Sequence, residues 1–336
     1  MTDTLPTFSS TAGELVLPQA SASNRDSLVW WAQEYWQSKV AGRAEGTVTA
    51  KRCDLQLFFD FFGAVVGSDQ VDFWTPLISR NFKSWLLDKE PDPPRKHQAA
   101  YAPTSVNRTL ATIRHFARFI QNRRAFQAGY PLEDVADIKL EPPEWNGLSK
   151  LELMRLQAAL DQVTQLSTRA NQMPKRDRSV FTLAIATGLR ASEIEALDFD
   201  QYRDKYLQRV RGKGENFRDV YVAKGAREDL DAYIHHERGS EPGPLFQTKT
   251  GGRYRRQYID AFVKRVAGQA NAQLPADEHI HLHAHKLRHT SIKRVHDKKG
   301  PVEAKKHGGH RSFKQLERYA TPTREEAEAT ADKLFP

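Results

Sequence analysis

The sequence contains almost no cysteine, since Cys53 is the single one among 336 residues. One cysteine cannot form a disulfide within the chain, and a chain without disulfides fits a reducing, intracellular compartment. Long apolar stretches are also missing, and none approaches the roughly 18 residues that a membrane-spanning helix needs. The N-terminus lacks the basic start and apolar stretch of a signal peptide. We therefore expect a cytoplasmic protein without a membrane partner.

Negative charge is in the minority, with 42 Asp and Glu against 51 Lys and Arg and a net charge of +9. Hydrophobic residues make up 39% and charged residues 28%, which is a globular composition rather than a disordered one. The basic balance favours a polyanionic partner, most commonly DNA or RNA. A solvated basic surface would give the same balance, so composition alone leaves both possibilities open.

Composition and periodicity divide the chain into a tail and two domains. Residues 1–25 are rich in Ser, Thr, Ala and Pro and predict a disordered tail. Over residues 26–140 apolar side chains recur at helical spacing, which predicts a helical domain. Residues 141–147, with two adjacent prolines, interrupt this pattern and are predicted to be a linker. Residues 148–336 then form a second domain.

One predicted helix of the first domain combines an apolar face with several arginines. It follows the proline-rich stretch 89–104, begins at Thr104 or Ser105 and continues to about Phe126. An apolar stripe flanked by arginines suits a helix that packs on a core and lies along a phosphate backbone. Arginines that serve only solubility would give the same pattern. The candidate DNA-binding residues of this helix are Arg108, Arg114 and Arg118.

The second domain is predicted to be mainly helical with one β-hairpin. Its first helix starts at Ser149, with a capping box completed by Glu152. Two extended runs, Tyr206–Arg211 and Arg218–Val222, are joined by a glycine-rich turn. A last helix is predicted over residues 324–334. The expected fold class is therefore mainly α, of the α+β type, with a small hairpin in the second domain.

Two segments of the second domain contain conspicuous cations, although each has a simple explanation alone. Gly188 permits a turn before Arg190, and Glu193 lies one helical turn later, as in an ordinary surface ion pair. The hairpin turn carries Lys213 at its tip. It is not a phosphate-binding P-loop, because Gly214 stands where that motif requires Ser or Thr.

Two further segments lie near the C-terminus. His285 and Arg288 are three residues apart and would share one helix face. His310 follows two glycines, and Tyr319 comes nine residues after it. On an unbroken helix such a spacing places two residues on opposite faces. If His310 and Tyr319 share a site, the helix must break between them.

Taken together and in this order, the four segments resemble the tyrosine recombinase family, which includes the phage integrases and the Xer and Cre recombinases. That family has a T-G-x-R-x-S-E segment, a hairpin lysine, an H-x-L-R-H segment, and a G-H followed nine residues later by tyrosine. The resemblance is close over about 147–322 and looser over 26–140, which is similar to the family's helical core-binding domain. The sequence departs from the pattern at Gly308, where the family usually has an aliphatic residue. The catalytic set that the resemblance implies is Arg190, Lys213, His285, Arg288, His310 and the nucleophile Tyr319, with Glu193 in a supporting role.

The resemblance implies a site-specific recombinase that cleaves and rejoins DNA through a 3′-phosphotyrosine intermediate, for integration, excision or resolution. No metal, other cofactor or ATP is expected. The implied partners are double-stranded DNA, further copies of the chain in a tetramer on two paired sites, and accessory DNA-bending or partner recombinase proteins. Residues 324–334 are predicted to dock on the neighbouring protomer. The implied location is the cytoplasm, at the nucleoid, with a prokaryotic, phage or mobile-element origin.

The stretch 285–318 supports DNA contact independently of the resemblance. It holds eleven Lys or Arg and three Asp or Glu, so it would bind a phosphate backbone in a salt-dependent way. The candidate DNA-binding residues in it are Lys286, Lys293, Arg294 and Arg311.

Three alternative interpretations remain at this stage. A zinc site among the alternating histidines 281, 283 and 285 is disfavoured, because the region has no cysteine and its spacing fits the recombinase pattern better. A DNA-binding accessory protein with the same fold would lack cleavage, and the intact set of polar groups argues against it. A relaxing enzyme similar to the type IB topoisomerases would share the site, but the two-domain layout and the C-terminal helix favour recombination.

Overall fold

The computed structural model describes residues 25–90, 100–141, 147–165, 173–212, 216–310, 312–316 and 332. The chain divides into two compact units, Met1–Glu141 and Pro142–Pro336. Nearly all of the predicted tail, most of the predicted linker, and the predicted helix 324–334 except Asp332 lie outside the described residues. Among the described residues, no helix is both long enough and apolar enough to cross a membrane.

The first unit is built from helices packed on an aromatic core. Its four α-helices are α1 (Leu28–Tyr35), α2 (Glu45–Val66), α3 (Pro76–Asp88) and α4 (Pro103–Gln121). A π-helical turn over Trp36–Val40 continues α1. The ring of Trp74 is fully buried and lies 4.6 Å from that of Phe58, measured between centroids.

Helix α4 differs from its predicted bounds at both ends. Pro103 occupies its first turn, where a fixed φ and a missing amide are tolerated, so the helix begins before Thr104. It ends at Gln121, and Phe126 lies beyond it, packed edge-on against Trp74 in the core.

The second unit contains six α-helices around a small antiparallel sheet, within the described residues. The helices are α5 (Lys150–Gln165), α6 (Pro174–Thr187), α7 (Ala191–Ala196), α8 (Lys224–Tyr233), α9 (Arg256–Asn271) and α10 (Ala284–Gly308). The capping box predicted at the start of α5 is confirmed, because Ser149 and Glu152 each accept the backbone amide of the other. Helix α6 contacts α5, α8 and α10 and forms the centre of the unit.

The sheet has the order β1 (Tyr202–Arg203), β2 (Tyr206–Arg211), β3 (Phe217–Tyr221). The predicted hairpin is therefore confirmed to within one residue, and β1 adds a short third strand. A bulge interrupts the pairing between Leu207 and Val210. The predicted fold class, mainly α with a small β element in the second unit, is confirmed.

Helix α10 changes direction once and stops just before His310. Gly300 leaves the helical conformation (φ 83°, ψ 176°) and precedes Pro301, which cannot donate a helical hydrogen bond. The helix ends with Gly309 in the left-handed conformation, and a separate 3-10 turn follows over Phe313–Leu316. The described residues after His310, 312–316, are thus not a continuation of α10.

Candidate active site

Arg190 lies in a tight connection between α6 and α7. Gly188 ends α6 in the left-handed conformation (φ 64°), which glycine adopts without strain. Arg190 then occupies the N-cap of α7, and its backbone amide donates to the Glu193 carboxylate at 2.9 Å. Its guanidinium also donates to Glu193, at 2.9 Å, while about a third of the side chain (31%) stays exposed. Arg190 is therefore anchored on one side and open to solvent on the other.

Glu193 is the buried carboxylate on which three arginines converge. Besides Arg190, Arg218 donates to it from both terminal nitrogens, at 3.2 and 3.1 Å, and a nitrogen of Arg288 lies 3.9 Å away. Burial alone would raise the pKa of Glu193, but hydrogen bonds from Arg218 and the Arg190 amide outweigh it and lower the pKa. Glu193 is thus a carboxylate at neutral pH and partly offsets a concentrated positive charge.

Arg288 is almost completely buried, with 1% of its surface exposed. Its guanidinium donates to the carbonyl oxygens of Gly188 and Gly308, and one nitrogen lies 3.3 Å from Nε2 of His310. These contacts tie the α6–α7 connection to the end of α10. The planar group is therefore held in one orientation, with His310 beside it.

The turn that presents His310 requires both glycines before it. Gly309 has a φ of 61°, and a Cβ added there would lie 2.8 Å from Cζ of Arg218. A Cβ added at Gly308 would lie 2.4 Å from Cδ2 of His310, because the imidazole packs on the Gly308 backbone. A side chain at residue 308 would therefore displace the His310 ring in this chain. The His310 amide completes the turn by donating to the Lys305 carbonyl at 3.0 Å.

His285 lies in the first turn of α10 and is exposed. Its ring packs edge-on against that of His289, with 4.5 Å between the centroids. The helix start is fixed by His283, whose side chain accepts the backbone amide of Lys286. His285 and Arg288 are thus close along the helix, with His285 on the exposed side and Arg288 buried.

The hairpin that carries the predicted lysine begins beside these arginines. Three predicted residues lie outside the part of the chain that the structure describes: Lys213, Arg311 and Tyr319. Gly212, which precedes the lysine, donates its amide to the Asn216 carbonyl at 2.7 Å. A Cβ at Gly212 would lie 3.4 Å from a nitrogen of Arg218 and 3.9 Å from Glu193. The base of the hairpin turn therefore contacts the Arg218–Glu193 pair.

The segment before Tyr319 is attached to α10. The 3-10 turn Phe313–Leu316 ends with Leu316, which is 3% exposed and shares a small apolar cluster with Ile292 and Ala304. Leu316 precedes the predicted nucleophile Tyr319 by three residues in the sequence.

The residues predicted to contact DNA in the second unit differ in exposure. Arg294 is exposed. Lys286 and Lys293 are buried, with 9% and 6% of their surface exposed, and their ammonium groups pair with Glu152 at 3.7 Å and Asp297 at 2.8 Å. The two lysines are seven residues apart and share the face of α10 that packs into the unit. Neither lysine therefore presents its ammonium group on the surface of the unit, where the prediction of DNA contact would have it.

The predicted arginines of α4 are all at or near the surface of the first unit. Arg108 is half exposed and donates to the buried Asp54 at 2.8 Å. Arg114 is more deeply placed and pairs with Asp137 at 3.0 Å. Arg118 is exposed. Two of the three thus have carboxylate partners that hold them in place.

Sequence reasoning missed two side chains that complete the site. The sequence places Arg218 only at the start of a strand, because nothing local indicates that it reaches Glu193. His307 lies in the last turn of α10, and its Nε2 is 2.7 Å from Oγ of Ser291. Burial and the charges of Arg288 and Arg218 lower the pKa of His307 to about 4. It is therefore neutral at physiological pH.

The histidines considered for zinc do not form a metal site in the described part of the chain. No group of three or more His, Cys, Asp or Glu there is arranged so that it could hold a metal ion.

The sequence profile of the phage integrase family matches residues 157–326, about half of the chain. The chain belongs to the phage integrase family. The matched region includes every residue of the predicted catalytic set, and the resemblance to tyrosine recombinases is confirmed. Tyrosine recombinase XerC of Pseudomonas aeruginosa is 27% identical over 240 residues, covering 69% of this chain and 70% of the relative. Tyrosine recombinase XerC of Chlorobaculum parvum is 27% identical over 337 residues. That alignment covers 91% of this chain and 94% of the relative.

Solved structures share the fold at low sequence identity. XerH site-specific recombinase, in a post-cleavage complex with palindromic difH substrate, has a TM-score of 0.67 and 14% identity. That comparison covers 86% of this chain and 80% of XerH. A lambda integrase dimer bound to a COC′ core site has a TM-score of 0.64 and 13% identity, covering 89% of this chain and 97% of the integrase chain. At these identities the comparison shows the common fold.

Proposed function

We propose that this protein is a site-specific recombinase that cleaves and rejoins double-stranded DNA through a covalent bond between Tyr319 and a 3′-phosphate. The observation that carries the proposal is the arrangement of Arg190 and Arg288 beside the buried Glu193, with His310 next to Arg288. Two guanidinium groups and an imidazole are brought together at one site by contacts with each other, with one carboxylate and with backbone carbonyls. Such a site suits a phosphodiester anion.

The arginines supply the electrostatic part of the proposed chemistry. A phosphodiester resists attack because its negative oxygens repel a nucleophile and its alkoxide is a poor leaving group. Arg190 and Arg288 would donate to the nonbridging oxygens, and His310 would donate beside Arg288. Because backbone carbonyls and Glu193 already fix these groups, little reorganisation is needed in the transition state. Loss of one such donor typically costs about 2.7–4 kcal/mol in the barrier.

The covalent step exchanges one P–O bond for another. The Tyr319 oxygen attacks phosphorus in line with the 5′-oxygen, and His285 accepts the phenol proton, since a phenol of pKa about 10 is mostly protonated at neutral pH. The bond to the 5′-oxygen breaks, and Lys213 protonates that oxygen as general acid. The products are a 3′-phosphotyrosine and a 5′-hydroxyl. The ester keeps the energy of the broken bond, so a second 5′-hydroxyl reverses the step without ATP.

Recombination requires an assembly beyond one chain. We extend the proposal to a tetramer on two paired DNA sites, in which residues 324–334 dock on the neighbouring protomer. Accessory DNA-bending proteins or a partner recombinase would contribute at some sites. Recombinase structures bound to DNA, such as XerH with difH and lambda integrase with its core site, support DNA as the partner of this chain. The proposed location is the prokaryotic cytoplasm, at the nucleoid.

The test uses nicked suicide substrates, because they trap the covalent intermediate. Duplexes from DNA flanking the gene are incubated with the full chain and with Tyr319→Phe, in the presence of chelator and without ATP. We expect a slowly migrating protein–DNA adduct on a denaturing gel with the parent chain alone. An adduct that persists in Tyr319→Phe would refute the assigned nucleophile. DNA binding without an adduct from any fragment would favour the accessory DNA-binding protein.

A further inference from the structure

The first unit carries a group of basic side chains around His115 that come from separate elements. Lys39 lies in the π-helical turn after α1, Arg43 in the connection to α2, Lys51 in α2, and Arg118 in α4 with His115. The positive charges of all four lower the pKa of His115, as does its partial burial, which has the largest effect. We call these four cations and His115 the His115 cluster. Its histidine is therefore neutral at physiological pH.

The tautomer of His115 is set by a chain of hydrogen bonds. The Lys51 ammonium donates to the hydroxyl oxygen of Tyr35 at 3.0 Å, and that oxygen lies 2.8 Å from Nδ1 of His115. An ammonium can only donate, so the Tyr35 oxygen is an acceptor on that side. Among the described residues, Nδ1 is the acceptor within reach of the Tyr35 hydroxyl hydrogen. Nδ1 therefore accepts, and the ring proton resides on Nε2.

Tyr35 is suited to hold this arrangement rigidly. Its side chain is fully buried, and its ring packs against those of His115 and Phe116 at 5.4 and 5.3 Å between centroids. Burial raises the pKa of Tyr35 to about 12, with a further contribution from Asp54, so the hydroxyl keeps its proton. His115 itself is exposed. The result is an uncharged donor, Nε2–H, on an exposed residue whose ring is held by the Tyr35 hydroxyl.

The charge around this donor is only partly offset within the unit. Asp54 acts on Tyr35 and Lys51, but it is buried and already accepts hydrogen bonds from Arg108, Thr109 and Thr112. Like charges held close together repel, and a polyanion that approaches them relieves the repulsion. Lys39, Arg43 and Arg118 are exposed and can reach such a partner. The surface therefore fits a phosphate backbone with one neutral donor at its centre.

We infer that His115 donates a hydrogen bond from Nε2 to an acceptor on double-stranded DNA, with Tyr35 and Lys51 as positioning residues and the cluster's exposed cations on phosphates. The acceptor is either a base edge in the major groove or a phosphate oxygen, which offer the same chemistry to a donor. The inference rests on the proposed function for its DNA partner. It does not rest on strand cleavage.

The experiment measures binding in a Tyr319→Phe background, so that cleavage plays no part. The full chain selects duplexes from a pool of random sequence, and the enriched duplex is then titrated at several salt concentrations. The variants are His115→Ala, His115→Gln, which keeps a neutral donor, and Tyr35→Phe. The control is Arg80→Gln in α3, an exposed arginine of the same unit that pairs with Asp134 at 3.7 Å. Thermal melting confirms that each variant is folded.

Two outcomes support the inference and separate the two acceptors. A base contact predicts that His115→Ala loses the preference at one position of the enriched sequence, with an affinity about tenfold lower for that sequence. A phosphate contact predicts a similar loss on every duplex, with the sequence preference retained. In either case Tyr35→Phe weakens binding less than His115→Ala, and His115→Gln recovers part of the affinity.

The inference is overturned if His115→Ala binds and selects DNA as the Arg80→Gln control does. It is also overturned if the background chain binds no duplex. The proposed function fails separately, through the absence of an adduct with intact Tyr319. A His115-dependent binding preference without any adduct would therefore retain this inference and reject the recombinase.

Discussion

At the scale of single residues, Arg218 contributes more to the site than its place in a strand indicates. Its two terminal nitrogens bind Glu193, and its guanidinium carbon lies against the Gly309 backbone. It thus connects the hairpin, helix α7 and the His310 turn. Because a lysine keeps the charge but cannot bind both carboxylate oxygens in the same plane, Arg218→Lys tests this geometry.

We expect Arg218→Lys to slow adduct formation by about 100-fold, the scale of losing one preorganised contact, with DNA binding little changed. Single-turnover cleavage and a binding titration on the same suicide substrate measure the two effects. The matched control is Arg203→Lys in β1, an exposed arginine that donates to the carbonyl of Asp200. Equal cleavage rates for the two variants would contradict a positioning role for Arg218.

His307 makes the stability of the second unit depend on pH. Its pKa is about 4 in the folded chain, against an unfolded value of about 6.5, because burial and two nearby arginines disfavour the charged ring. The unfolded state therefore binds the proton first as the pH falls. The stability associated with the neutral ring is present above pH about 6.5 and is lost progressively towards pH about 4.

We expect His307→Gln to reduce this pH dependence, because glutamine does not titrate. The free energy of unfolding in urea, measured at several values between pH 7 and pH 5, should fall less in the variant than in the parent chain. His236→Gln provides a control in a histidine outside the site. Parallel curves for parent and His307→Gln would show that another group controls the acid response.

At the scale of elements, the end of α10 can place the His310 ring where it lies only because residue 308 is a glycine. A methyl group there would meet the His310 ring at 2.4 Å, so the ring must move away from Arg288. We expect Gly308→Ala to reduce adduct formation about as much as His310→Ala. Gly268→Ala in α9 is the matched control, since a Cβ there meets no atom within 4 Å and alanine favours a helix. Retained activity in Gly308→Ala would mean that the turn adapts.

The elements also show what local sequence can and cannot predict. The hairpin was predicted within one residue, because alternating apolar residues and a glycine-rich turn are local signals. Local sequence does not specify which side of α10 packs into the unit, so the prediction that Lys286 and Lys293 contact DNA did not include their burial. The hydrogen-bond chain at His115 joins Tyr35 to Lys51, which lies 16 positions later in the sequence, and to His115, which lies 80 positions later. Contacts of that range depend on how helices pack, which periodicity does not specify.

At the scale of the whole molecule, the site accounts for cutting one strand, whereas exchange requires two DNA sites. A chain that ends before residue 324 keeps every residue of the proposed catalytic set. If residues 324–334 dock on a neighbouring protomer, the shortened chain should still form an adduct on a single suicide substrate. It should fail to recombine two intact sites, because the protomers no longer hold one another in a closed assembly.

Both reactions can be measured with the same preparation, so the comparison controls for folding and DNA binding. We expect an adduct yield close to that of the full chain and a recombinant yield reduced by about tenfold or more, since loss of a docked segment weakens assembly by roughly 1.4 kcal/mol or more. Unchanged recombination would show that residues 324–334 have no role in the assembly. Loss of both reactions would instead assign it to the catalytic unit itself, since Tyr319 lies only five residues before the truncation.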